Sequence, residues 1–433
     1  MENGGGRVAK MFVVMWIFFF SLFGLVDQVS VADAGYVNSW VYRYASVGGL
    51  NISIVDTLII LSAGLVSIPY LLGKEKFTKE VLFILGLILL IFSASEIRGM
   101  LRLPGSETIG LAELKSLVFL IVFVFLTRKA CDTNNERLLI YIPATVIMVR
   151  MILEILRFVY FPYVDNNIGS RTVIPPQILV FVPPMIMELF RTRRMLSKNF
   201  LSFTLLLVTI VVILTWSRGL IFIFITTVLL VFIFFPYFCS SRRGRKGILR
   251  TSTIIMISFS PILFIGAADY FFKSDFIGSY YFWGSANKDS FSASNLAHFH
   301  DIVRGILLIS KNPFFGLGLG GSFPAYKTAV FPGVIHNEFL FFWVVFGFFG
   351  MLLWLYMFIL LPLRTFMRVK ISRNHGKLPI LSSVVLMAIP YAIVQATVSP
   401  PFIFNLQKIF MVALLLAIQY HTICVKVEKR AAK

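Results

Sequence analysis

Charge is scarce in this 433-residue chain: 14% of it is Asp, Glu, Lys or Arg, while 58% is hydrophobic. A soluble globular chain carries about a quarter charged residues, so the composition excludes a soluble protein and predicts an integral membrane protein. Acidic residues are the scarcer kind, 20 against 40 Lys and Arg. Cysteine is nearly absent, and the three present (Cys131, Cys239, Cys424) offer no disulfide framework. There is no ATPase P-loop and no Asp-x-Asp pair to hold a metal–nucleotide sugar. No repeat of fixed period and no low-complexity tract occurs. Alternating polar and apolar β-barrel strands are missing too, so the spans are expected to be helices that satisfy their own backbone.

What is there is a series of apolar runs near the spanning length of about 17–25 residues. They fall at 11–27, 55–72, 80–95, 116–127, 138–154, 176–190, 199–216, 219–237, 251–271, 338–363, 379–397 and 401–424. The reading is an all-α membrane protein with about twelve transmembrane helices. With the N-terminus inside, 26 of the 40 basic residues fall on inward segments, the positive-inside pattern. The net charge of +20 therefore reads as topology and attraction to anionic lipid, not as a nucleic-acid surface. On that topology all three cysteines face the cytoplasm and are expected to be reduced. Residues 1–34 resemble a signal peptide, but the apolar run is long, and an uncleaved signal anchor is the preferred reading.

The inward loops are short and basic, with no room for a nucleotide-binding domain, so any chemistry is expected outside or near the outer membrane surface. The chain divides into helices 1–9 over 1–271, one large outward loop over 272–337, and helices 10–12 with a basic tail over 338–433. Within the loop, Asn295–Ser310 (NLAHFHDIVRGILLIS) places Leu296, Phe299, Val303, Ile306 and Leu307 at helical spacing. This predicts an amphipathic helix that stops at Lys311-Asn312-Pro313 and lies on the membrane. A glycine run, Gly316-Leu317-Gly318-Leu319-Gly320-Gly321, follows. It matches G-x-G-x-x-G without the β-α-β context that gives that pattern its meaning. A tight turn and a nest of backbone N–H groups facing an anion are both open readings.

Three further features carry polar chemistry. Ser217-Arg218-Gly219 interrupts TIVVILTWSRGLIFIFITTVLL, which is too long for one span, so Arg218 sits at the outer corner of a hairpin. An outward arginine there either snorkels to lipid phosphate or contacts an anionic ligand. Arg304 follows Asp301 by three positions and His300 by four, placing the three on one helix face; an Asp301–Arg304 ion pair is the simplest use of them. His298 and His300 point to different sides of a helix, which argues against a chelate. Finally, His336-Asn337-Glu338-Phe339-Leu340 opens the run LFFWVVFGFFGMLLWLYMFILL. Glu338 suits the positive end of the helix dipole, and a neutral imidazole at His336 can accept a proton near neutral pH.

Taken together, Ser217-Arg218-Gly219, Arg304 with Asn312-Pro313-Phe314-Phe315-Gly316-Leu317-Gly318, and His336-Asn337-Glu338-Phe339-Leu340 before Gly347 and Gly350 resemble the bacterial O-antigen ligase and polymerase superfamily. The resemblance covers about residues 200–360. It implies a GT-C-like fold with its large loop in the periplasm, in the bacterial inner membrane with both termini cytoplasmic. It further implies an inverting, metal-independent glycosyltransferase using an undecaprenyl-diphosphate-linked saccharide, with no cofactor. Carried over, Arg218 and Arg304 would hold the diphosphate and His336 would be the base. Asn337, Glu338, Asp301, Gly318 and Gly320 are supporting candidates. A ligase passes the glycan to lipid A–core, and a polymerase passes it to a second lipid-linked glycan. The ligase is the first expectation. A lipid-linked oligosaccharide transporter is the alternative outside the enzymes; it would place polar residues near the midplane, often in broken helices, and Arg150, Glu154 and Lys408 are its possible intramembrane charges.

Overall fold

The computed structural model describes residues 45–47, 50–52, 61, 79–102, 121, 124, 127, 137–160, 179–214, 218–238, 302–318, 337–372, 380–398, 412 and 414–416. The expected spans at 11–27 and 251–271 lie outside these residues, as do nearly all of those at 55–72, 116–127 and 401–424. Lys408 and the expected N-terminal anchor also lie outside them.

The described chain is helical except for one short antiparallel pair, β1 (Ala45–Val47) and β2 (Leu50–Ile52), with Ser46 opposite Asn51. The helices are α1 (Lys79–Arg102), α2 (Leu138–Tyr160), α3 (Val182–Arg191), α4 (Met195–Leu214) and α5 (Arg218–Phe238). They continue with α6 (302–311) and α7 (Glu338–Leu355). A π-turn over Tyr356–Leu360 joins α7 to α8 (Leu361–Ser372), and a 3₁₀ turn over Leu381–Val384 leads into α9 (Val385–Val398). Among the described residues, four stretches are long and apolar enough to cross a bilayer: Leu82–Gly99, Leu139–Leu156, Met195–Leu214 and Glu338–Met367. They mark the chain as a membrane protein.

Within the expected run at 176–190, Leu179 is helical, a turn follows at Val180 and Phe181, and α3 then begins with Pro183 and Pro184 in its first turn. Proline is tolerated there because the N–H it lacks has no helical partner anyway. α3 is buried from Val182 to Glu188 and packs among α4, α5 and α9. Its only internal charge, Glu188, is fully buried between Arg191 (Nε to Oε2 3.1 Å) and Arg137 (Nε to Oε1 3.5 Å). α2 carries a second enclosed pair, with Arg150 Nη2 2.6 Å from Glu154 Oε1 one turn on and both side chains buried. The expected intramembrane charges Arg150 and Glu154 thus neutralise each other inside a span. Phenylalanines fill the rest of the interior, including Phe190 against Phe235, Phe234 against Phe366, and Phe92 against Phe346.

The expected span at 338–363 falls within the apolar stretch Glu338–Met367, but its helix is not straight. α7 is broken at Gly347, whose φ of 71° and ψ of −159° lie far from helical values. The rings of Phe339 and Trp354 approach to 5.4 Å, whereas fifteen positions of straight helix span about 22 Å. The arm before Gly347 therefore turns back toward the arm after it. Gly350 makes this possible, since a Cβ there would meet the carbonyl oxygen of Phe342 at 2.5 Å.

Candidate functional site

Breaking a helix frees backbone groups. In an unbroken α7 the N–H of Phe348 would bond the carbonyl of Val344, and the next N–H that of Val345. Hydrocarbon offers no water to replace such bonds. The segment after α6 replaces them instead. Leu317 donates its N–H to Val344 O (2.7 Å) and Gly318 donates to Val345 O (2.9 Å). In return Phe348 N–H is shared between the carbonyls of Pro313 (2.9 Å) and Phe314 (3.1 Å). Trp343 closes the joint by donating its indole N–H to Pro313 O at 3.1 Å. The two segments are spliced into each other.

Local sequence makes this geometry available. α6 ends where Asn312 N–H bonds the carbonyls of Leu308 and Ile309, just before Pro313, as expected. Gly318 has a φ of 96°, and a Cβ on it would sit 2.5 Å from the backbone nitrogen of Gly99 in α1. Gly347 likewise has positive φ, and a Cβ there would collide with the carbonyl of Phe314. Only glycine accommodates both conditions. α1 forms the third wall of the joint, where Ser95 Oγ reaches Val345 O at 3.4 Å and the Arg98 guanidinium lies 5.7 Å from the Phe315 ring centre.

The amides of Leu317 and Gly318 are thus used on helix carbonyls. At those two positions the tight-turn reading holds and the anion-nest reading does not. Gly320 lies outside the described residues.

Asn337 is a helix cap. With φ −136° and ψ 107° it stands just outside α7, and its Oδ1 accepts the N–H of Leu340 at 3.0 Å. Glu338 follows in the first turn, as expected for an acidic group at a helix N-terminus, but it is fully buried. Tyr391 of α9, itself buried, lies within electrostatic range of that carboxylate. Asn337 and Glu338 therefore open the short arm of a broken helix, not the mouth of a straight span.

Arg304 sits half-buried on the flank of α6, between exposed Val303 and Leu307 and buried Gly305 and Ile309. Arg218 is the first residue of α5, and α4 ends at Leu214; the expected corner between them, residues 215–217, lies outside the described residues. His336 and Asp301 lie outside the described residues. Among the described residues no cluster of three His, Cys, Asp or Glu could hold a metal.

Reading the sequence missed Trp343, Ser95, Gly99, Arg98 and Tyr391 as parts of this region. Gly347 and Gly350 entered only through the resemblance, yet two glycines three apart in an apolar helix signal close backbone approach. Arg98, near the end of α1 away from Lys79, lies just past the apolar run at 80–95, as Arg218 lies just past the run at 199–216. No protein-family model matches the chain, and no curated protein matches it.

Proposed function

We propose that the chain is a membrane glycosyltransferase that takes a glycan from a polyprenyl-diphosphate carrier. The preferred acceptor is lipid A–core, as in an O-antigen ligase; the alternative is a second lipid-linked glycan, as in a polymerase. One observation carries the reading. The two best-defined motif blocks, Asn312–Gly318 and the helix opened by Asn337-Glu338, are joined backbone to backbone across the Gly347 break. Motifs that act together are expected to be held together, and here they form one rigid joint.

In this reading His336 takes the proton from the acceptor hydroxyl as its oxygen bonds to the anomeric carbon. The bond from that carbon to the carrier's phosphate oxygen breaks, and the diphosphate leaves with its electron pair. Arg218 and Arg304 receive the developing negative charge. Asn337 holds the helix start beside His336, and Glu338 anchors it from within the bundle.

A second reading, transport of a lipid-linked saccharide, is favoured by the broken α7 with an enclosed carboxylate on its short arm, a feature of transporters. The deciding experiment is purified protein in vesicles with an undecaprenyl-diphosphate-linked saccharide. Release of undecaprenyl diphosphate only after adding lipid A–core supports the ligase. Release with donor alone, accompanied by chain lengthening, supports the polymerase. Movement of intact donor between leaflets without release overturns the enzyme reading.

A further inference from the structure

α6 turns its apolar stripe away from the protein. Val303, Ile306 and Leu307 are exposed, while Gly305 and Ile309 on the opposite side are buried. The chain then passes through Phe314 and Phe315, which expose 64% and 65% of their surface. Two adjacent phenylalanines this open on a turn fixed by five hydrogen bonds call for an apolar partner. Their rigid attachment to Phe348 places them beside a second exposed pair, Phe348 and Phe349.

That second pair begins a stripe on a membrane-crossing stretch. Phe348, Leu352, Ile359 and Leu363 recur at helical spacing, and all four are exposed on the Glu338–Met367 stretch. A face like this on a span is covered by acyl chains. Phe314 and Phe315 continue the same surface past the end of the helix. The rim is cationic, with Arg98 over Phe315 and exposed Lys311 closing α6. Aromatic rings with basic neighbours are the composition favoured at the boundary between hydrocarbon and headgroups.

We propose that residues 303–315 form a membrane anchor, with Val303, Ile306, Leu307, Phe314 and Phe315 seated among the acyl chains of bilayer phospholipid. Lys311 and Arg98 meet the headgroups. Because Phe314 and Pro313 are bonded to Phe348, the anchor also fixes the height of the Gly347 break in the bilayer. This inference is independent of the reaction and holds for an enzyme or a transporter.

The test uses wild-type protein in phosphatidylcholine–phosphatidylglycerol vesicles containing a phosphatidylcholine with a diazirine on its acyl chain. After photolysis, peptide mass spectrometry locates the adducts. Adducts on Phe314 or Phe315 as well as on Phe348–Leu352 are expected; adducts confined to the latter would overturn the proposal. A second arm places a nitroxide at Phe315→Cys, with Cys131, Cys239 and Cys424 changed to Ser and Leu352→Cys as the lipid-facing reference. The label should favour oxygen over a water-soluble nickel chelate, as the reference does. Three outcomes would each overturn the anchor. One is preference for the nickel chelate, which means water. Another is exclusion of both with spin broadening relieved by unlabelled protein, which means a second copy. The third is saturable loss of oxygen access on adding undecaprenyl phosphate, which means a groove for a polyprenyl tail.

Discussion

Phe339 and Trp354 touch ring to ring at 5.4 Å across a helix break at Gly347. The arm from Glu338 to Phe346 is about 13 Å long at helical rise, too short to cross a bilayer. The arm from Phe348 to Met367, where the apolar stretch ends, is about 30 Å by the same measure and is long enough. The crossing therefore belongs to the second arm, and the first returns a carboxylate and its cap toward the interior of the bundle. The backbone exchange with Pro313–Gly318 holds this bend.

Gly347→Ala tests the bend directly. A Cβ would strike the carbonyl of Phe314 at a residue held at positive φ, and such strain costs about 1–3 kcal/mol before the collision is counted. Gly86→Ala is the matched control, since nothing lies within 4 Å of its Cβ position in α1; it should be neutral or stabilising by up to about 1 kcal/mol. Melting temperatures in one detergent, with Gly347→Ala clearly lower and Gly86→Ala unchanged or higher, are the expected result. Equal melting of the two would mean the bend is not part of the stable fold.

Trp343→Phe keeps the aromatic body and removes only the bond from the indole N–H to Pro313 O. The loss should be about 0.5–1.5 kcal/mol. It should appear first as faster hydrogen exchange at Leu317 and Gly318, whose amides the joint protects. Unchanged exchange there would show that the indole does not hold the joint closed.

Much of the helical layout could be read from hydropathy. The run at 138–154 is α2 at Leu138–Tyr160, the run at 219–237 is α5 at Arg218–Phe238, and Pro313 marks the end of α6. These features are local, set by residues adjacent in the chain. The break at Gly347 was not legible, because hydropathy averages an apolar window and a bent helix is as apolar as a straight one. What makes the bend tolerable is a bonding partner some thirty positions earlier, at Pro313–Gly318. Of the candidate site, the positions of Asn337 and Arg218 at helix starts were legible. The proximity of Glu338 to Tyr391 was not, since it depends on how α7 and α9 pack.

The Arg150–Glu154 pair gives a third prediction. Both side chains are buried on one span at 2.6 Å, so Glu154→Gln would leave a guanidinium enclosed without its counter-charge. Breaking such a pair costs about 3–5 kcal/mol, whereas replacing both partners with apolar residues is often close to neutral. Glu154→Gln should thus lower the yield of folded protein sharply, and Arg150→Met with Glu154→Leu should recover it. If the double variant folds but loses activity or transport, the pair serves function; if it retains both, the pair is structural.

The last prediction separates the proposed base from its cap. Asn337→Ala removes the bond to Leu340 N–H and should cost about 1 kcal/mol of stability, with Asn337→Asp restoring most of it because aspartate caps equally well. Its effect on turnover should follow that stability loss. His336→Ala should do the reverse, leaving melting unchanged while turnover with lipid-linked donor falls about 10²–10⁴-fold, the usual contribution of a general base. Both variants are assayed for released undecaprenyl diphosphate at saturating donor and acceptor, so that the comparison is of turnover and not of affinity. Loss of activity in both with melting lowered in both would assign His336 to the fold. Full activity in His336→Ala would remove it from the mechanism and leave the short arm's buried Glu338 as the group to test next.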